Sequence, residues 1–143
     1  MAELKLGQAQ AIITASLDYA RDKRLSPMAV LVLDACGVPK AFAAEDGTSL
    51  RRFEIAQGKA HGALSLGVGS RELAKRAAER PHFIAAVTHA VGGMLIPVPG
   101  GVLLRDQQGQ LLGAVGASGD TSDNDEAMVR AGLEAAGLTA DSG

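Results

Sequence analysis

Residues 97–126, PVPGGVLLRDQQGQLLGAVGASGDTSDNDE, constrain this chain more than any other stretch. Two short apolar runs, 102–105 and 111–115, flank Asp106-Gln107-Gln108-Gly109. Bounded by glycine, proline and aspartate, they read as a buried β-hairpin, with Gly109 supplying the positive φ that a short connection needs. Gly113 and Gly116 lie inside the second run. A missing side chain there weakens a strand and lets another backbone or a ligand come close. The chain must then leave the sheet at Ser118-Gly119-Asp120 and start a helix, with Ser122 as its cap and Asp125 as an acidic capping partner. That exit, beside the Pro99-Gly100-Gly101 turn, is the first place to look for a site.

Upstream, the spacing predicts a helix over 6–24 with Leu6, Ala9, Ile13, Leu17 and Ala20 on its apolar face. Pro27 ends it, since the residue before a proline leaves the α region. An apolar strand over 28–33, the turn Asp34-Ala35-Cys36-Gly37 and a return strand over 38–44 follow. Ser49 then caps a second helix over 50–66, whose buried stripe is Phe53, Ala56, Ala60, Ala63 and Leu64. Its other stripe, Glu54, Gln57, Gly58, His61 and Ser65, is polar and small. Gly58 and Gly62 each cost about 1 kcal/mol relative to Ala inside a helix, so something must approach closely there. Ser70 caps a short helix over 71–80, and Pro81 opens another that stops at Gly92-Gly93. Residues 94–97 read as a short edge strand, and 138–143 as a frayed tail. Strands grouped apart from helices make a single α+β domain over 1–143 with antiparallel pairing.

The composition closes off whole classes of function. A net charge of -2, with no stripe of basic and aromatic residues, excludes a nucleic-acid partner. Cys36 is the single cysteine, so neither an internal disulfide nor a cysteine-based metal cluster can form. No run of about 18 apolar residues is present, so no membrane partner is expected. The first ten residues lack a charged segment followed by an apolar one, which leads to the expectation of a soluble cytoplasmic protein. Gly-x-Ser-x-Gly, P-loop and His-Glu-x-x-His patterns are all missing.

What remains for chemistry is a short set of residues. His61 sits on the small-residue stripe, and Gly100, Gly101, Asp120 and Thr121 cluster at the strand exit. Arg51 and Arg52 stand in the first turn of the second helix, where cations oppose the helix dipole. They are either solvated or a clamp for a carboxylate. An enzyme acting on a small carboxylate metabolite would use His61 or Asp120 as acid or base and Lys59 or Arg52 as anion anchor. The amides of Gly100 and Gly101 would then face a developing oxyanion. A non-catalytic assembly subunit, with the Gly58/Gly62 stripe as its contact, is the other reading.

PGGVLL, LLGAVGASG and DTSDNDE, together with LKLGQAQAII, VLDACGVPKAF and IAQGKAHGA upstream, resemble the GlcG/HbpS family of small haem-binding-type domains. Similar modules end some corrinoid adenosyltransferases. The resemblance runs in order along nearly the whole chain. It implies a profilin-like three-layer α/β/α fold with five antiparallel strands in the order 2-1-5-4-3 and the terminal helices on one face. It also implies a homo-oligomer, accessory to a catabolic pathway, that binds haem or a similar flat, anionic small-molecule ligand. His61, His89 or His82 would supply the axial nitrogen, with arginines meeting the propionates. Cys36 stands where the family turn has a small residue.

Overall fold

The computed structural model describes residues 2–143. Its elements in order are α1 (Leu6–Asp22), β1 (Ala29–Asp34), β2 (Pro39–Ala44), α2 (Arg52–Leu66), α3 (Ser70–Glu79) and α4 (Pro81–Ala90). β3 (Gly101–Arg105), β4 (Leu111–Ser118), α5 (Ser122–Ala135) and β5 (Thr139–Asp141) complete it. All strand pairs are antiparallel, and the sheet runs β2-β1-β4-β3-β5. This is the α+β architecture expected, with helices on both faces.

Strand alternation builds two cores. Val30, Val32, Val102 and Leu104 point to the face covered by α1 and α5, while Leu31, Leu33, Leu103 and Ala114 point to α2. Leu73, Ile84 and Leu95 form a third cluster, under α3 and α4. Among the described residues no helix is long and apolar enough to cross a membrane.

The hairpin that dominates the sequence forms as expected. Gly109 has φ +83°, and Asp106 Oδ1 accepts from the Gln108 and Gln110 amides to close the loop. The fifth strand is a different segment from the one expected. Residues 94–97 form no strand, and Ile96 N–H donates instead to the Gly58 carbonyl of α2 at 3.0 Å. The edge position goes to Thr139–Asp141, part of the tail expected to fray. Arg105 Nε reaches Asp141 at 3.1 Å and Arg130 reaches Ser142 Oγ at 2.8 Å, which anchors a segment too short and polar to announce itself.

Helix boundaries shift for local reasons. Leu6 is 52% exposed, and Ile12 and Ser16 take inward places on α1. Helix α2 starts at Arg52 because the Ser49 hydroxyl, expected as its cap, accepts from Arg52 Nε. The cap of α5 is Thr121, whose Oγ1 accepts from Asn124 N–H.

Ser16 Oγ is the one buried side-chain polar atom without a partner among the described residues. It lies where α1 meets Gly132 of α5, at which a Cβ would strike that oxygen and come within 2.9 Å of Ile12 O. Ser16→Ala should therefore leave stability unchanged or raise it by up to about 1 kcal/mol. Gly132→Ala should lower it by about 1–3 kcal/mol through overpacking. Urea unfolding of both variants checks the pair, and a clear loss in Ser16→Ala would show a hydroxyl bond that this packing lacks.

Candidate functional site

Lys59 occupies the inward stripe of α2 between Ala56 and Ala60, with its side chain only 2% exposed. A buried ammonium needs an anion and further acceptors. Its Nζ donates to Asp125 Oδ2 at 2.9 Å and to the Ala117 carbonyl at 2.9 Å. Asp125 comes from α5 on the opposite face of the sheet, so the pair joins the two helical layers. Burial pushes the Asp125 carboxyl up from its ordinary value, against the pull of Lys59 and of the Asp120 N–H that bonds Oδ1.

The glycine turn is what lets Lys59 through. A Cβ on Gly100 would lie 2.8 Å from Lys59 Nζ, and one on Gly101 would strike the Lys59 backbone. Gly101 N–H donates to Ser70 Oγ at 2.7 Å, so it is not directed at a ligand. Asp120 is equally engaged: Oδ2 accepts from Ser26 N–H at 2.8 Å, and Oδ1 from Thr121 N–H at 2.8 Å and Asn124 Nδ2 at 2.7 Å. The Asn124 amide first, then the Ser26 and Thr121 amides, hold this carboxyl well below the usual carboxylate range. Such a group is a poor proton acceptor near neutral pH. Arg52 turns inward to Ser49 Oγ and to Ser118 Oγ at 3.0 Å, while Arg51 pairs with Glu54 at the surface.

Lys59, Gly100, Gly101, Asp120, Thr121 and Arg52 are thus gathered at one end of the sheet, bonded chiefly to the protein itself. His61 lies elsewhere. Its Nδ1 is 3.1 Å from the Met94 carbonyl and 3.3 Å from Ser65 Oγ, whose own proton goes to the His61 carbonyl. A carbonyl only accepts, so Nδ1 carries the proton and Nε2 keeps its lone pair. Among the described residues Nε2 has no hydrogen-bond partner, and it is not a buried atom, so it is open to solvent. The Gly37 turn flanks the ring, its Cβ position 3.8 Å from Nε2.

His82 and His89 are exposed on α4, and their rings make no hydrogen bond within the described residues. No group of three or more His, Cys, Asp or Glu is placed to hold a metal ion there either. Two surface cavities have no histidine in their lining. A groove of about 510 Å³ runs between α1 and β2, past Gln10, Thr14 and Phe42. A smaller one of about 220 Å³ adjoins Cys36 and Lys40.

Sequence reading missed Asp125 as the partner of Lys59 and the Met94 carbonyl as the partner of His61. The first left a signal: Lys59 shares its helical face with Ala56, Ala60 and Ala63, and a lysine on such a stripe requires an acid. The second is a backbone atom and left none.

Residues 4–134 match the family model described as haem degrading protein HbpS-like. No curated protein sequence matches the chain. Among solved structures, the PduOC:heme complex aligns with a TM-score of 0.86 at 20% identity, over 98% of this chain and 99% of that one. HbpS aligns with a TM-score of 0.79 at 27% identity, over 94% and 90%. Protein ORFY of Klebsiella pneumoniae gives 0.84 at 22% identity, over 95% and 92%.

Two measurements probe the polar end of the sheet. Lys59→Met leaves a buried carboxylate uncompensated and should cost about 3–5 kcal/mol, much of it restored by adding Asp125→Leu. Equal losses in the single and double variants, read by urea unfolding, would mean that the pair contributes packing alone. Asp120 provides a pH dependence. Its folded value lies below the unfolded one near 4, so its contribution is fully present above about pH 4 and is lost as pH falls through the folded value. Asp120→Asn should accordingly flatten the loss of stability between about pH 4 and pH 2, modestly, since the group is near solvent. Parallel acid curves for the two proteins would refute this.

Proposed function

Because the chain belongs to the HbpS-like family, we propose that it is a haem-binding domain in which His61 Nε2 is the axial donor. The observation that carries this is the bond from Nδ1 to the Met94 carbonyl. Ligating imidazoles commonly donate their second nitrogen to a carbonyl, which fixes the ring and raises the basicity of the free nitrogen. His61 therefore fits the donor role that a haem iron requires. The solved PduOC:heme complex, similar in fold, and HbpS support the ligand class.

Bound haem would supply an iron centre and a flat apolar face carrying two carboxylates. This chain would contribute the oriented imidazole, and Gly37 would leave space along one edge of it. Arg51 and Arg52 take no part in this proposal. Arg52 lies nine residues before His61 on α2, about 13 Å at 1.5 Å per residue, and its guanidinium is held inward. Self-association belongs to the same proposal. Strand β2 is an uncovered sheet edge, and Val38, Phe42 and Leu50 near it are 55%, 41% and 85% exposed.

Acid–base chemistry on a small carboxylate has less to support it. Lys59, Asp120 and Gly101 N–H, its intended groups at the sheet end, already bond within the protein.

Haemin titration tests the assignment. Wild type should show a shifted Soret band, with light scattering giving a particle heavier than the 14.6 kDa of one chain. His61→Ala should abolish the shift while moving the melting temperature little, because the ring is only partly buried. His82→Ala with His89→Ala should retain it. The reverse pattern would move the ligand to α4.

A further inference from the structure

Gly58 and Gly62 are occupied from within the chain. Gly92 and Gly93, at φ +71° and +85°, end α4 and turn the backbone so that residues 94–96 run across the outer side of α2. Leu95 lies against Gly62, where a Cβ would come within 2.9 Å of its Cγ and 3.2 Å of its Cα. Ile96 lies against Gly58, where a Cβ would come within 2.6 Å of its Cγ1. The Ile96 N–H donates to the Gly58 carbonyl at 3.0 Å, tying the segment to the helix backbone. Met94 is thereby placed with its carbonyl 3.1 Å from His61 Nδ1.

We propose that residues 94–96 are a strap that selects which nitrogen of His61 carries the proton, and that the Gly58 and Gly62 gaps exist to seat it. Its relevance to ligand binding rests on the reading of His61 as the axial donor. Met94 and Leu95 are positioning residues in this scheme, acting through His61. The tautomer of a neutral imidazole follows the hydrogen bond its other nitrogen makes. With the Met94 carbonyl in place, Nδ1–H is bonded and Nε2 is left as the donor atom. With the carbonyl displaced, Ser65 Oγ is the remaining neighbour of Nδ1, at 3.3 Å. That hydroxyl donates to the His61 carbonyl here, but it can rotate to donate to Nδ1 instead, so it does not enforce one tautomer. Selectivity follows for ligands that take a nitrogen lone pair, such as a metal centre, over those that need an imidazole N–H.

The strap explains two glycines on one helix face without invoking a ligand or a second chain. Leucine and isoleucine side chains fill both gaps, and Leu95 is 3% exposed in the cluster with Leu73 and Ile84. The site and the α3–α4 layer are coupled by this route: anything that shifts α4 pulls on the Met94 carbonyl through Gly92 and Gly93.

Gly62→Ala is the direct test. Alanine suits a helix interior better than glycine, yet its methyl group must push the Leu95 backbone outward. In wild type, ring ¹⁵N NMR of the neutral His61 imidazole should show a protonated Nδ1 and a bare Nε2. In Gly62→Ala the two nitrogens should move toward a mixed tautomer, and haemin affinity should fall about 10–100-fold, as for loss of an outer-shell partner of a metal ligand. An unchanged ¹⁵N pattern in Gly62→Ala overturns the strap, whatever haemin does. A changed pattern with unchanged haemin affinity upholds the strap and overturns His61 as the axial donor. Ile96→Ala, which removes the side chain seated at Gly58 and leaves α2 untouched, gives the same readout should Gly62→Ala fail to fold.

Discussion

A single buried ion pair sets the position of almost everything else in this domain. Lys59 stands on a helix covering one face of the sheet and Asp125 on a helix covering the other, and they meet beside Ala117 near the end of β4. Charges that far from water are costly, and their mutual attraction offsets that cost only when every remaining donor and acceptor is also engaged. Here Lys59 Nζ also donates to the Ala117 carbonyl, and Asp125 Oδ1 also accepts from the Asp120 amide. Asp120 in turn fastens the start of α5 to Ser26, just before β1. A polar network of this kind fixes one relative placement of α2, α5 and the sheet, which apolar contact between smooth surfaces does less sharply.

That network has a functional consequence. The residues that look most chemical in the sequence, Lys59, Asp120 and the Gly101 amide, hold the scaffold. The imidazole of His61, two residues beyond Lys59 on the same helix, is set by the same anchoring and still has a nitrogen open. One helix thus divides its polar residues between architecture on its inner stripe and an available donor atom on its flank.

Much of the fold was legible because it depends on local patterns. The hairpin over residues 101–118, the β1–β2 pair and the helices follow from apolar runs, glycine turns and proline breaks. The fifth strand was not. Residues 94–97 are apolar and precede a glycine turn, so they imitate an edge strand, whereas Thr139–Asp141 is three residues of ordinary polarity. Its pairing with β3 comes from where α5 ends in space, which no local pattern encodes. The site divides in the same way. His61 was visible as a residue on a small, polar stripe, but its tautomer depends on a backbone carbonyl 33 positions away. Arg51 and Arg52 were visible as a breach of the dipole rule; Glu54 and Ser49, each three positions away, and Ser118, 66 positions away, are their partners, and only the first two could be read from local sequence.

The glycines make sense together once α2 is seen as a helix gripped on both sides. Toward the sheet, a Cβ on Gly116 would strike the Ala56 carbonyl and one on Gly101 the Lys59 carbonyl. The helix backbone thus lies directly on the strand backbones, with Ala56, Ala60 and Ala63 between. Away from the sheet, Gly58 and Gly62 admit Ile96 and Leu95. Close contact of this kind replaces bulky side chains, which is why a core can be built with aromatics at 3% of the chain. It also brings the underside of α2 into direct contact with the strands at Gly101 and Gly116. Any molecule that uses this helix must approach its open flank, between the Gly37 turn and the strap, and that is where His61 presents its unprotonated nitrogen.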